Sequence, residues 1–194
     1  MQPLILDILY QILVSPSKAF STVTRKKPWH WALLIATSVS LIFAFDLLPN
    51  PPQLVEVILG SGRGTLRLAP VVSIWVLMFL AVLIVMAGLF HMLALLFRGK
   101  GSYLGILCGV GFASFPAVFV GPLALLRVLL SSAAGQTAYF TCCFILSLWI
   151  LTLCIIAVRH NYNLSPVRAA AVCLIPVFSV IVLPALVVAL YMAS

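Results

Sequence analysis

Residues 90–119 read FHMLALLFRGKGSYLGILCGVGFASFPAVF, two apolar segments that meet at a short basic turn. No Asp, Glu, Lys or Arg occurs from 70 to 97 or from 103 to 126. Each segment exceeds the roughly 20 apolar residues that cross about 30 Å of hydrocarbon. Because the connection has only about five residues, the two helices must be antiparallel neighbours. The stretch therefore predicts a transmembrane helical hairpin.

The turn of this hairpin consists of Arg98, Gly99, Lys100 and Gly101. We expect the two glycines to supply the backbone freedom that ends one helix and begins the next. The two cations should hold the turn at a charged membrane surface.

Small residues recur every four positions along the second helix of the hairpin. Such a pattern lets another helix approach closely where no hydrophobic effect drives association. It winds around the helix by about 40° per step, because four residues overshoot a 3.6-residue turn. We expect this face to be buried in protein, and we expect Pro116 and Pro122 to kink the helix. The five small positions are Gly105, Gly109, Ala113, Ala117 and Gly121.

The composition of the chain indicates an all-α integral membrane protein. Of its 194 residues, 64% are hydrophobic and 7% are charged, whereas soluble domains carry about 25% charged residues. The net charge is +8, but single cations dispersed between apolar spans form no basic face for nucleic acid. All five cysteines fall inside predicted spans without a CxxC pair, so we expect no metal and no cofactor.

Residues 1–28 are predicted to form short amphipathic helices at the membrane interface. The Ser15-Pro16 pair is typical of an N-cap followed by proline at the first helical position. Four cations in this segment fit anionic lipid headgroups, and the alternative is a docking surface for a protein partner. The cations are Lys18, Arg25, Lys26 and Lys27.

Residues 29–194 are predicted to form one transmembrane domain of five spans. Eight of the 11 Lys and Arg residues lie in the N-terminal segment, the 98–102 turn and the 159–168 loop. The positive-inside rule therefore places the N-terminus in the cytoplasm and the C-terminus on the opposite side of a multi-pass membrane protein. The spans cover about 31–48, 70–97, 103–126, 138–158 and 167–191.

Catalytic chemistry is not expected. The three acidic residues, Asp7, Asp46 and Glu56, are predicted to lie on different sides, so no carboxylate pair can form within one leaflet. Asp46 is predicted to lie near the far interface, where water can reach it, with a functional role for this carboxylate as the alternative. His91 is the polar candidate of the second span, about 10 Å inside the cytoplasmic face. We expect His91 to make a helix–helix hydrogen bond, with a pore, ligand or proton role as the alternative.

Four short runs carry a family resemblance. They read GLFH at 88–91, FRGKGSY at 97–103, GFASFP at 111–116 and RHNYNLSPVRA at 159–169. Their order and spacing resemble the Yip domain (Ypt-interacting protein) family of multispanning membrane proteins over about residues 1–185. The resemblance implies a five-helix domain with a cytoplasmic N-terminus. In eukaryotes this family is associated with Rab-type GTPases and vesicle trafficking.

Two differences from the eukaryotic members favour the prokaryotic branch, whose members lack an assigned activity. Eukaryotic members carry an Asp-Leu-Tyr-Gly-Pro element before the first span, where this chain has only Pro28-Trp29. Where the family often has Gly-Tyr in the third span, this chain has Gly111-Phe112. GTPase binding is therefore not expected, and the resemblance to the prokaryotic branch implies a location in the cell (inner) membrane.

Two functions remain open at this point. The favoured one is a non-catalytic membrane organiser or adaptor that uses its small-residue helix faces and basic N-terminal helices. It would bind partners, itself or anionic lipid through these surfaces. The alternative is a small transporter or permeability protein, with a path past His91 lined by the proline-containing third and fifth spans.

Overall fold

The computed structural model describes residues 5–46, 62–130 and 133–193. Within these ranges every regular element is helical. In chain order the elements are α1 (Ile5–Val14), α2 (Pro16–Lys26), α3 (Trp29–Asp46), α4 (Gly62–Leu96), α5 (Tyr103–Ala113), a 3-10 helix (Phe115–Phe119), α6 (Val120–Leu130), α7 (Ala133–Tyr162) and α8 (Pro166–Ala193).

Three of the described helical stretches are long and apolar enough to cross a bilayer. They correspond to the predicted second, third and fourth spans, whereas shorter apolar helices lie where the first and fifth spans were predicted. The all-helical class with membrane-spanning helices is therefore confirmed, and the number five stays a prediction. The three candidates are Ala69–Leu96, Tyr103–Leu125 and Ala133–Tyr162, and the shorter helices include Trp29–Ala44 and Pro166–Ser179.

Helix α5 lies at the centre of the bundle. In an 18-residue apolar stretch of the candidate span that contains it, 56% of the residues are buried, compared with 11% in the span of α4 and 22% in that of α7. It packs against α3, α4 and α7, and also against α2. Ile106, Cys108 and Phe112 of α5 are completely buried. The most central helix is thus the one that carries the small-residue pattern.

Helix α4 turns a broad apolar face outward. Large side chains such as Ile74, Leu77 and Met92 are each about two-thirds exposed. A soluble protein rarely exposes so much contiguous apolar surface. This face is suited to contact lipid chains.

The third predicted span is not one continuous helix. After α5 ends, the chain forms the 3-10 helix and only then resumes as α6. Pro116 lacks the N–H that an α-helix would need there, and the Ala117 N–H donates to Ser114 O over three residues at 2.9 Å. The kink expected at Pro116 takes the form of this interruption, whereas Pro122 lies in the first turn of α6.

Two helices extend beyond the apolar runs that predicted them. Helix α4 begins at Gly62, before the predicted start near residue 70, and α7 begins at Ala133, before the predicted start near residue 138. Hydropathy locates the part of a helix that fits the hydrocarbon layer, whereas a helix continues for as long as its backbone hydrogen bonds do.

The N-terminal helices are part of the bundle. Ile8 and Ile12 of α1 are buried, and Phe20 and Val23 of α2 are completely buried. Helix α2 packs against α7 and α5, and α1 packs against α2. Ser15 is the N-cap of α2 and Pro16 its first residue, although the Ser15 side chain makes no capping hydrogen bond.

Candidate functional site

The small-residue face of α5 is occupied by helices of the same chain. A Cβ atom added to Gly109 would lie 2.9 Å from the Cβ of Ala157 on α7, and one added to Gly105 would run into the side chain of Asn161. At Gly121 on α6 the nearest neighbour of an added Cβ is Ile42 of α3, at 3.4 Å. The small residues at the start of the pattern therefore contact α7, and Gly121 at its end contacts α3. It is not a free surface for a partner helix.

The other members of the face are also enclosed. Ala113 and Ala117 are buried, with exposures of 0% and 2%. Gly111, which lies outside the four-residue pattern, faces α3, where an added Cβ would lie 2.9 Å from the Cβ of Ala32. Glycines on two sides of α5 thus allow α3 and α7 to approach it together.

The glycines of the hairpin turn allow a neighbouring side chain to approach the backbone closely, and they do not adopt backbone torsions that only glycine favours. No described glycine has a positive φ, and the residue in the left-handed region is Arg98, with φ 61°. A Cβ atom at Gly99 would lie 2.8 Å from the Cβ of Tyr162, and one at Gly101 would lie 2.5 Å from Cδ1 of the same ring. The explanation expected from the sequence, backbone freedom at these glycines, was therefore wrong. The turn needs glycine because Tyr162 packs directly against its backbone.

The turn is joined to the end of α7 by hydrogen bonds. The Lys100 N–H donates to Tyr162 O at 3.0 Å, and Asn161 Nδ2 donates to Ser102 O at 2.9 Å. The Ser102 side chain caps α5 by accepting from the Gly105 N–H at 3.2 Å. The side chains of Arg98 and Lys100 remain exposed.

His91 lies beside this junction. Its Nδ1 is 2.6 Å from the hydroxyl of Tyr162, whose side chain is 1% exposed. The ring of Tyr103 packs edge-on against the imidazole, and its hydroxyl donates to Ile84 O at 3.2 Å. We call His91, Ser102, Tyr103, Asn161 and Tyr162 the hairpin cluster. It ties α4, α5 and α7 together at one end of the bundle.

The hairpin cluster forms hydrogen bonds between helices. When the Tyr162 hydroxyl donates to Nδ1, the imidazole carries its proton on Nε2. Within residues 5–46, 62–130 and 133–193, no group of three or more His, Cys, Asp or Glu side chains is placed to hold a metal ion. Asp46 is the last residue of α3, and its side chain lies outside the described part of the chain.

Asn161 and Tyr162 received no role in the sequence analysis. Both stand in the polar run that ends the apolar α7, and both belong to the motif at 159–169. A polar side chain at the end of an apolar helix is also common at a wet interface, so the pattern does not distinguish an exposed residue from a buried one. Their contacts with the turn at 98–102 are long-range, and periodicity does not encode such contacts.

The predicted basic residues line the outer side of α2. Lys18, Arg25 and Lys26 are exposed and Lys27 is half-buried, whereas Phe20 on the same helix is completely buried. The bundle therefore fixes one face of α2 and leaves its cations outside.

Comparison with known proteins identifies the family. The profile of the Yip1 domain matches residues 10–189, which includes the hairpin, both helices that flank it and the 159–169 motif. No curated protein and no solved structure shows a significant match. The chain therefore belongs to the Yip1 domain family, as a membrane protein of apolar helices.

Proposed function

We propose that the chain is a non-catalytic membrane organiser or adaptor that acts through a rigid basic surface at the membrane interface. The supporting observation is the position of α2, which has Ala19, Phe20 and Val23 fully buried while Lys18 and Arg25 are exposed. A helix held in this way presents its charges in a fixed arrangement. A loose amphipathic anchor would not.

The proposal narrows the surfaces through which the chain would act. The small-residue face of α5 is filled by α7 and α3, so it serves internal packing. The exposed surfaces of the described residues include the basic side of α2 and the apolar outer face of α4. We propose that the basic side of α2 contacts a partner or lipid headgroups. We propose that the outer face of α4 contacts lipid chains or a second copy of the chain.

The proposed setting is a five-span, multi-pass protein of the cell inner membrane in the prokaryotic branch of the family. The N-terminal helices and the turn at 98–102 face the cytoplasm in this arrangement, and the C-terminus lies opposite. The distribution of Lys and Arg supports the orientation. Neither a cofactor nor a GTPase partner is part of the proposal.

Site-specific photocrosslinking in native membranes tests the adaptor role. A photoreactive residue at Lys18 samples the basic side of α2, and one at Leu77 on the outer face of α4 is the control. The proposal predicts discrete protein adducts at Lys18 that disappear when Arg25→Glu reverses a neighbouring charge. Lipid adducts alone at both positions would contradict an adaptor role.

A transporter is the second candidate, because the span from Tyr103 to Leu125 is interrupted by the 3-10 helix. Discontinuous helices are a common device of transport proteins. In this view His91 would line the path. Solute or ion flux across reconstituted vesicles that His91→Ala abolishes would favour the transporter over the adaptor, and a silent His91→Ala would favour the adaptor.

A further inference from the structure

A groove of about 480 Å³ opens between the start of α1 and the junction of α2 with α3. This volume falls within the roughly 300–1,000 Å³ of small-molecule sites. One side of the groove is aliphatic, from α1, and the other is basic and aromatic, from the junction. Its lining includes Ile5, Ile8, Lys26, Lys27, Trp29 and Trp31.

The junction holds its lysines and tryptophans close together. Lys27 adopts the left-handed conformation with φ 50°, and its N–H donates to Val23 O at 2.8 Å. The Trp29 N–H donates back to Lys27 O at 2.8 Å. This tight reversal places Lys26 and Lys27 next to the first turn of α3. The arrangement is set by backbone hydrogen bonds rather than by chance contacts of long side chains.

The charge of this end of the chain selects an anion. Residues 1–28 contain four Lys or Arg residues and one acidic residue, Asp7. Two of the four cations line the groove. The indoles of Trp29 and Trp31 are 53% and 38% exposed. Exposed tryptophans beside lysines are typical of the headgroup level of a bilayer.

A groove that is basic on one side and apolar on the other fits an amphiphile with a negatively charged head. We propose that it binds the headgroup of one anionic phospholipid, with the phosphate at Lys26 and Lys27 and the glycerol backbone against the indoles and Ile5. The inference rests on the proposed membrane-surface function and names its ligand. The site is defined by the groove, whereas a general attraction between cations and lipid would involve Lys18 and Arg25 equally.

Tryptophan quenching in nanodiscs tests the groove directly. In the full chain carrying Trp75→Phe and Trp149→Phe, the indoles that remain are Trp29 and Trp31. The nanodiscs contain brominated phosphatidylglycerol, which quenches tryptophan fluorescence, mixed with unlabelled phosphatidylcholine. Nanodiscs with brominated phosphatidylcholine give the reference level of quenching. Quenching then reports which lipid occupies the groove. We expect phosphatidylglycerol to be preferred.

Two double variants that lose the same charge distinguish binding in the groove from general attraction of lipid to the basic surface. Lys26→Gln/Lys27→Gln removes the cations of the groove, and Lys18→Gln/Arg25→Gln removes those outside it. Each lysine near an anionic lipid contributes roughly fivefold to the binding preference. The preference for phosphatidylglycerol should therefore fall by at least about tenfold in the first variant. It should fall by less than about twofold in the second, whose lost charges lie outside the groove. Lys26→Arg/Lys27→Arg should retain the preference. Equal thermal unfolding midpoints show that each variant is folded.

The outcomes distinguish the groove from the function on which it rests. Equal losses of lipid preference in the two double variants would show that the groove is not a specific lipid site. A diffuse contact between the basic surface and the membrane would then remain. No preference for phosphatidylglycerol in the parent protein would overturn the lipid site, whereas the adaptor function would still be decided by the protein adducts at Lys18. Displacement by soluble glycerol phosphate as effective as that by the lipid would mean a free-phosphate site, and the lipid proposal would be wrong.

Discussion

The hydroxyl of Tyr162 lies 2.6 Å from Nδ1 of His91, across 71 positions of the chain. This contact joins the C-terminal part of α4 to the end of α7. The same Tyr162 packs against Gly99 and Gly101, and its carbonyl accepts from the Lys100 N–H. One residue thus connects a side-chain hydrogen bond with the backbone of the turn.

Removal of the Tyr162 hydroxyl should destabilise the bundle modestly. Tyr162→Phe keeps the ring against the glycines and deletes only the hydrogen bond, so we expect a loss of about 0.5–1.5 kcal/mol in the free energy of unfolding. Tyr10→Phe on the exposed side of α1 is the matched control, with 67% of Tyr10 exposed. Thermal and denaturant unfolding in detergent micelles measure both.

A double-mutant cycle shows whether the hydroxyl acts through His91. In His91→Ala the hydroxyl has already lost its partner, so adding Tyr162→Phe should cost much less than it does in the parent protein. Strictly additive losses would mean that the two side chains are not coupled, contrary to the observed geometry.

Alanine at Gly109 should be destabilising, and alanine at Gly88 should not. The added Cβ at Gly109 would lie 2.9 Å from the Cβ of Ala157, which cannot rotate away, whereas at Gly88 no atom lies within 4 Å. We expect a loss of about 1–3 kcal/mol for Gly109→Ala. Gly88→Ala should gain up to about 1 kcal/mol, since alanine favours the helix. Unfolding midpoints of the purified variants provide the comparison, and equal midpoints would contradict close packing of α5 on α7.

Apolar runs in the sequence located the three described helical stretches that are long enough to cross a membrane, but not the contacts that hold them together. Apolar runs located the hairpin, and Pro116 located the interruption of the third span. The role of Gly99 was misjudged because a glycine that permits a turn and a glycine that admits a neighbouring ring look the same in a sequence. Tyr162, which supplies that ring, lies 63 positions away along the chain, and only the fold brings the two together.

Glycine at Arg98 should be more stable than alanine there. Both substitutions remove the same charge, so their difference isolates the cost of the left-handed backbone, with φ 61° at Arg98. Glycine adopts this conformation freely, and other residues lose about 1–2 kcal/mol in it. Arg98→Gly should therefore unfold at a higher denaturant concentration than Arg98→Ala. The reverse order would show that the turn is not left-handed at this position.

A carboxylate at position 161 should disrupt the turn more than a simple truncation. Asn161 Nδ2 donates to Ser102 O at 2.9 Å, and the side chain is 8% exposed. Asn161→Ala loses this bond, whereas Asn161→Asp also buries a charge against a carbonyl oxygen, which is costlier. Limited proteolysis at the turn should follow the order Asn161→Asp, Asn161→Ala, parent protein. Equal protection of all three proteins would remove Asn161 from the hairpin cluster.

Topology is tested most directly by labelling single cysteines at Lys100 and Ser194 with a membrane-impermeant thiol reagent, in a chain whose native cysteines are replaced by alanine. Five spans with a cytoplasmic turn predict that Lys100→Cys is labelled in inverted vesicles and Ser194→Cys in right-side-out vesicles. Labelling of both positions from the same side would contradict the five-span arrangement with opposite termini.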